Sequence, residues 1–108
     1  MTNVITIATS WVVTGFQWDD GNWPKCAKHG VSKAEIEEVL SGEPTVLADR
    51  SNILAEARFN AVGQNAAGRY LLIVFTLRGG NDDRVIRPIS ARYMHAKEVE
   101  RYEQHIQR

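Results

Sequence analysis

Tyr70-Leu71-Leu72-Ile73-Val74-Phe75-Thr76-Leu77, then Gly79-Gly80-Asn81-Asp82, then Arg84-Val85-Ile86-Arg87-Pro88-Ile89-Ser90, is the stretch that sets the fold. Two runs rich in β-branched and aromatic residues flank a Gly/Asn/Asp cluster, which is the pattern of a β-hairpin. Upstream, Arg58 to Val62 reads as a third strand, joined to the hairpin through Asn65-Ala66-Ala67-Gly68. The centre of the chain is therefore an antiparallel meander.

Working outward, Thr45 to Ala48 is a short extended piece, and before it Ser32-Lys33-Ala34-Glu35 matches a capping box. Ile36, Val39 and Leu40 share one face of the helix it starts, which stops at Gly42 and cannot continue past Pro44. Thr14 to Trp18 reads as a strand running into the turn Asp19-Asp20-Gly21-Asn22. A short helix over Trp23 to Lys28 follows, with Pro24 in its first turn and Gly30 as its stop. At the other end Ala96, Val99, Tyr102 and Ile106 recur at helical spacing, giving an amphipathic helix over 96–107. The order β-α-α-β-β-β-α is that of an α+β protein with three or four antiparallel strands. Residues 14–108 form one domain. Residues 1–13 are apolar, carry no motif, and are an extension able to add a strand.

With 108 residues, 44% of them hydrophobic and 24% charged, the composition is globular and suits a single core. A lone cysteine, Cys26, excludes an intrachain disulfide and fits a reducing compartment. The longest apolar run is strand length, well short of a membrane span. The first residues lack the charged start and apolar block of a secretory signal, so a cytoplasmic protein with no membrane partner is expected.

The formal net charge is zero, but it is unevenly spread. Up to Asp49 seven acids face three bases; from Arg50 onward ten bases face six acids, and nine of the ten are Arg. Arginine suits bidentate phosphate recognition, so the second half fits a local anion site better than a generally basic surface. A solvated, self-neutralising surface explains the same counts.

Most cofactor chemistry has no foothold. There is no Gly-rich phosphate loop, no dinucleotide fingerprint and no nucleophile elbow. Cys26 and His29 have CxxH spacing, which is half a zinc site, while His95 and His105 lie far off in the chain. No metal and no cofactor are expected, and Cys26 reads as a buried structural thiol. The arginines are more informative. Arg58 begins one strand, Arg78 ends the next and Arg92 follows the third, so they converge only if the strand registers agree. Arg84 and Arg87 lie within or beside the last strand, with the opposite face open to them. Pairing with Asp49, Glu56 or Asp82 is the plainer reading of any one of these arginines.

Trp18-Asp19, Lys28-His29-Gly30-Val31-Ser32 and Arg58-Phe59-x-x-x-Gly63 resemble the BrnT family of bacterial toxins. So do Gly68-Arg69 leading into Val74-Phe75-Thr76-Leu77-Arg78, and Ile86-Arg87-Pro88-Ile89-Ser90-Ala91-Arg92. Residues 16 to 103 carry the resemblance. It implies a RelE-like fold and a metal-independent endoribonuclease that inhibits translation. It also implies a cognate, BrnA-like antitoxin as partner in a hetero-oligomer, with operator DNA bound only through that complex. The catalytic residues it points to are His29, Arg58, Arg78 and Arg92, with Lys28, Trp18 and Arg87 binding substrate. The interval from Trp18 to His29 is a residue short of the usual motif, and Asn22-Trp23-Pro24-Lys25 replaces a more basic helix.

Such residues suit attack of a ribose 2′-OH on the adjacent phosphodiester, which needs a proton acceptor, cations for the developing phosphorane and a proton donor for the leaving 5′ oxygen. Arginines supply fixed charge. His29 is the motif residue of a type able to exchange protons near neutral pH, and capping a helix end is its equally good alternative role. Trp18 stacks a base or simply packs. The rival function is a catalytically inactive docking module of the same fold. A DNA-binding domain acting alone is disfavoured, because no helix combines clustered bases with exposed polar readers.

Overall fold

The computed structural model describes residues 13–49, 57–80 and 82–106. In chain order these form β1 (Val13–Phe16), a 3-10 helix (Lys25–His29), α1 (Lys33–Ser41), β2 (Thr45–Asp49), β3 (Arg58–Gln64), β4 (Tyr70–Arg78), β5 (Arg84–Tyr93) and α2 (Ala96–Ile106). The α+β class holds. The five strands form one sheet in the order β1-β5-β4-β3-β2.

Two expectations are corrected. The sheet is mixed, because β1 runs parallel to β5 while β2 to β5 are antiparallel neighbours. The extended piece after α1 is also a full edge strand, paired with β3 from Thr45↔Val62 to Asp49↔Arg58, so the sheet has more strands than the three or four expected. Both corrections concern segments of four or five residues. So short an alternation carries neither a strand direction nor a partner. Of the extension over residues 1–13, only Val13 lies within the described residues, as the first residue of β1.

One face of the sheet carries the core. Phe59, Ala61, Leu71, Ile73, Phe75, Leu77 and Ile86 meet Val31, Ile36, Val39 and Leu40 from α1 and its approach. Fully burying each of the larger side chains is worth roughly 1.5–3 kcal/mol. The start of α1 is as the sequence dictates: Ser32 Oγ accepts from the Glu35 amide at 3.1 Å, and the Ser32 amide donates to Glu35 Oε1 at 3.0 Å. Gly63 lies beneath α1, where a Cβ would stand 2.9 Å from Val39 Cγ1.

The helix expected over Trp23 to Lys28 is a single 3-10 segment beginning at Lys25, after a turn in which the Asn22 and Trp23 amides both donate to the Asp19 carbonyl. Gly30 ends it in the left-handed conformation, φ 85°, as its role as a stop requires. Cys26 on this segment is buried, and burial raises its thiol pKa, which fits packing and not nucleophilic chemistry. Helix α2 lies against the other face of the sheet. The Tyr102 ring meets Tyr70 edge-on with centroids 5.6 Å apart, and its hydroxyl bonds to Thr45. Among the described residues no helix is long and apolar enough to cross a membrane.

Candidate functional site

The site is built on the sheet face that turns away from α1. Thr76 of β4 stands opposite Arg87 of β5. On the other side Phe59 pairs with Phe75, which sets Arg58 abreast of Thr76. Arg58, Thr76 and Arg87 therefore form a row across three strands, and Arg78 projects from the same face two residues further along β4.

Arg87 reaches this face because of an irregularity. Val74 pairs with Ser90, but Phe75 pairs with Pro88, so β5 carries an extra residue at Ile89. Strict alternation back from Arg92 would have turned Arg87 into the core and Ile86 out of it. The bulge exchanges them, leaving Ile86 buried and Arg87 on the arginine face. Pro88, which has no amide hydrogen to donate, is the sequence signal for it.

The row is closed into a cleft of about 190 Å³ by Gly21, Asn22 and Lys25 from the first turn and the 3-10 helix. Thr76, 1% exposed, is part of its lining, with Arg58, Arg78 and Arg87 around it. Arg87 is held from behind. Its guanidinium donates to Asp19 Oδ2 at 2.7 Å and Oδ1 at 3.0 Å, and to Gln17 Oε1 at 3.1 Å. These bonds, with the Gly21 amide, hold the Asp19 carboxyl below its ordinary range. Gly21 leaves room for this pair: a Cβ there would stand 2.7 Å from Arg87 Nη2 and 3.0 Å from Asp19 Oδ1, so a side chain would displace them.

Asn22 pins this turn to the sheet. It is 2% exposed, yet its amide nitrogen donates to the Gln17 and Pro88 carbonyls at 2.9 Å each, and its Oδ1 accepts from the Asp19 amide at 2.8 Å. A buried polar side chain with every contact satisfied fixes the position of its loop. Sequence reading treated Asp19 to Asn22 as a generic turn and passed over these roles.

The structure thus brings together Arg58, Arg78 and Arg87 of the residues singled out above, and adds Lys25. It does not bring His29 or Arg92 to them. Those two line a second pocket, of about 330 Å³, with Arg69, Tyr93, Met94 and His95. The Arg92 guanidinium forms a paired contact with Glu98, at 2.7 and 2.8 Å, which lowers the Glu98 pKa to about 2. Of the carboxylates expected to pair with arginines, Glu56 and the Asp49 side chain lie outside the described residues. Among the described residues Asp19 pairs with Arg87 and Glu98 with Arg92.

Trp18 joins neither of these two pockets and lines a third, of about 170 Å³, with Asp19, Asp20, Trp23 and Lys33. Its indole N–H donates to Glu37 Oε2 at 2.7 Å, its ring meets Trp23 edge-on at 5.4 Å, and Lys33 Nζ lies 5.2 Å from its centroid. These are packing contacts beside the core. Lys28 is exposed and lines neither pocket.

Fold and site together define a small α+β protein with an arginine-lined cleft on the face of its sheet that turns away from α1. The family described as ribonuclease toxin, BrnT, of type II toxin-antitoxin system matches residues 18–98. That span is most of the chain and contains every residue of the cleft, and the chain belongs to this family. No curated protein matched the chain.

Proposed function

We propose that the arginine cleft is where this toxin holds and cuts RNA. The observation that carries the reading is the row Arg58–Thr76–Arg87, flanked by Arg78 and Lys25 around one small cleft. Four cations converge there, and Asp19, the carboxylate beside them, is occupied with holding Arg87. The pentacoordinate phosphorane of 2′-OH attack gathers negative charge on its oxygens, and preoriented guanidinium donors stabilise that charge in the transition state.

In this reading the ribose 2′ oxygen bonds to phosphorus as the bond to the 5′ oxygen breaks, leaving a 2′,3′-cyclic phosphate and a 5′-hydroxyl. Arg58, Arg78 and Arg87 stay protonated throughout and hold the phosphoryl oxygens. Lys25, the lining cation able to release a proton, protonates the leaving 5′ oxygen, and water in the cleft takes the proton from the 2′-OH. No step requires a metal. His29, which the resemblance places among the catalytic residues, has no part in this scheme because it lines the other pocket.

Membership in a toxin–antitoxin family supports the remaining parts of the proposal. The fold is RelE-like, the protein acts in the cytoplasm and cleavage arrests translation. A cognate BrnA-like antitoxin neutralises it by placing an acidic or amphipathic segment over the arginine face. The two form a hetero-oligomer that meets operator DNA through the antitoxin.

Single-turnover cleavage of a labelled RNA in the presence of a chelator tests the chemistry. Growth arrest after controlled expression, relieved by co-expression of the antitoxin, tests the biology. Wild-type protein that neither cuts RNA nor slows growth would leave the docking-module reading in possession.

A further inference from the structure

The motif residues that the cleft leaves out have a place of their own. We propose that the second pocket, lined by His29, Arg69, Arg92, Tyr93 and His95, is a nucleotide subsite for the RNA strand whose scissile phosphate sits in the arginine cleft. The proposal rests on the RNA reading of that cleft.

Segments far apart in sequence meet here: the end of the 3-10 helix, the loop before β4, the end of β5 and the residues leading into α2. The central feature is a stacked pair. The Arg69 guanidinium lies 3.7 Å from the centroid of the Tyr93 ring. That ring is fixed in turn, because its hydroxyl bonds to both Glu35 carboxylate oxygens, at 2.9 and 2.8 Å, and Glu35 is locked in the capping box of α1. Aromatic rings and arginine planes are the surfaces on which unpaired RNA bases stack. Arg69 is exposed, so its outer side is open to a base.

The charges favour an anion beside that base. The two carboxylates at the pocket are committed, Glu35 to Tyr93 and Ser32, and Glu98 to Arg92 and the His95 amide. Arg69, His29 and His95 supply donors for a phosphate or a base edge. The spacing also fits one strand. Arg87 and Arg92 are five residues apart on β5, roughly 15 Å along a strand, while Tyr93 and the Arg69 stacked on it stand on the α1 side, so the few nucleotides that join the two sites pass around the end of β5.

Binding of fluorescent 2′-O-methyl RNA tests this without cleavage, because such RNA lacks the nucleophile. A dinucleotide and a longer oligomer, about ten nucleotides, are titrated against wild type, Arg69→Ser, Arg69→Lys and, as a matched charge loss on α2, Lys97→Ser. The longer oligomer should bind wild type at least tenfold more tightly than the dinucleotide. Arg69→Ser should remove most of that advantage and leave dinucleotide affinity within about twofold. Arg69→Lys, which keeps the charge and loses the plane, should recover less than half of the lost advantage, and Lys97→Ser should change little.

Equal losses for both oligomers, or the same loss in Lys97→Ser, would overturn the subsite in favour of general electrostatics. Arg69→Ser that keeps RNA affinity but no longer co-purifies with the antitoxin would overturn it in favour of protein docking. Wild type that binds neither oligomer would refute the RNA reading of the cleft itself, and the subsite with it.

Discussion

Replacing Arg87 by Ala separates the cleft's chemistry from its architecture. In the folded protein the guanidinium is oriented before substrate arrives, by three bonds to Asp19 and Gln17 of 2.7 to 3.1 Å. Its side chain is only 14% exposed, so little ordering remains to be done when the phosphorane forms. Loss of one preoriented charge donor typically lowers kcat about 10²–10³-fold, or about 2.7–4 kcal/mol. The fold should barely register the change, because Asp19 is 53% exposed and regains water when its partner goes. An ion pair with one partner half-exposed contributes on the order of 1 kcal/mol. The expected result is therefore a cleavage rate down at least a hundredfold, with a melting temperature within a few degrees of wild type. Single-turnover kinetics on a short RNA and a thermal melt measure the two quantities. A folded Arg87→Ala protein whose rate stays within threefold of wild type would refute the placement of the chemistry in this cleft.

Gly21→Ala should act on the same group by geometry alone: its methyl would crowd Arg87 Nη2, so cleavage falls about tenfold or more while the melting temperature holds. His29→Ala should leave kcat and its pH profile on short RNA unchanged, and loss of a limb near neutrality would return His29 to the reaction. Ser32→Ala removes an N-cap and should cost about 1 kcal/mol, read as a lower melting temperature. Glu35 and Glu98 each have a folded pKa of about 2 against an ordinary 4.5, Glu35 mainly through the Ser32 amide and Tyr93, Glu98 through Arg92. A depressed carboxyl stabilises the fold above its unfolded value and loses that contribution as pH falls, so stability should decline between about 4.5 and 2. Melting curves over that range should be flatter for Glu35→Gln, and an unchanged slope would argue against the capping-box assignment.

The sequence made local decisions legible and long-range ones illegible. Ser32 and Glu35, Gly30, and the turns at Asn65 to Gly68 and after Arg78 are settled by neighbours a few residues away, and the structure shows each in the expected place. The parallel pairing of β1 with β5 joins residues about seventy positions apart, and nothing in Val13 to Phe16 encodes its direction. The site was legible in the same partial way. That several arginines would stand on the meander was readable from composition and strand position. Which arginines would meet was not, because one bulged residue between Pro88 and Ser90 decides the face of Arg87. The resemblance named residues of both pockets, and only register divides them into two groups.

A net charge of zero then becomes compatible with two cationic pockets. The acids are not spread evenly as a neutralising surface; several act as holders for the groups that line the pockets. Asp19 orients Arg87 in the cleft. Glu35 fixes the ring on which Arg69 lies, and Glu98 fixes Arg92. Two of these three acids are in the acidic first half of the chain and brace side chains of the basic second half. Each such pair uses a carboxylate to hold a cation or its platform in place, which is what a short chain needs in order to present arginines in one arrangement without a large core behind them. Charge summed over the sequence counts braced and unbraced groups alike. It does not measure the field in the cleft, where Arg58, Arg78, Arg87 and Lys25 converge on one small volume.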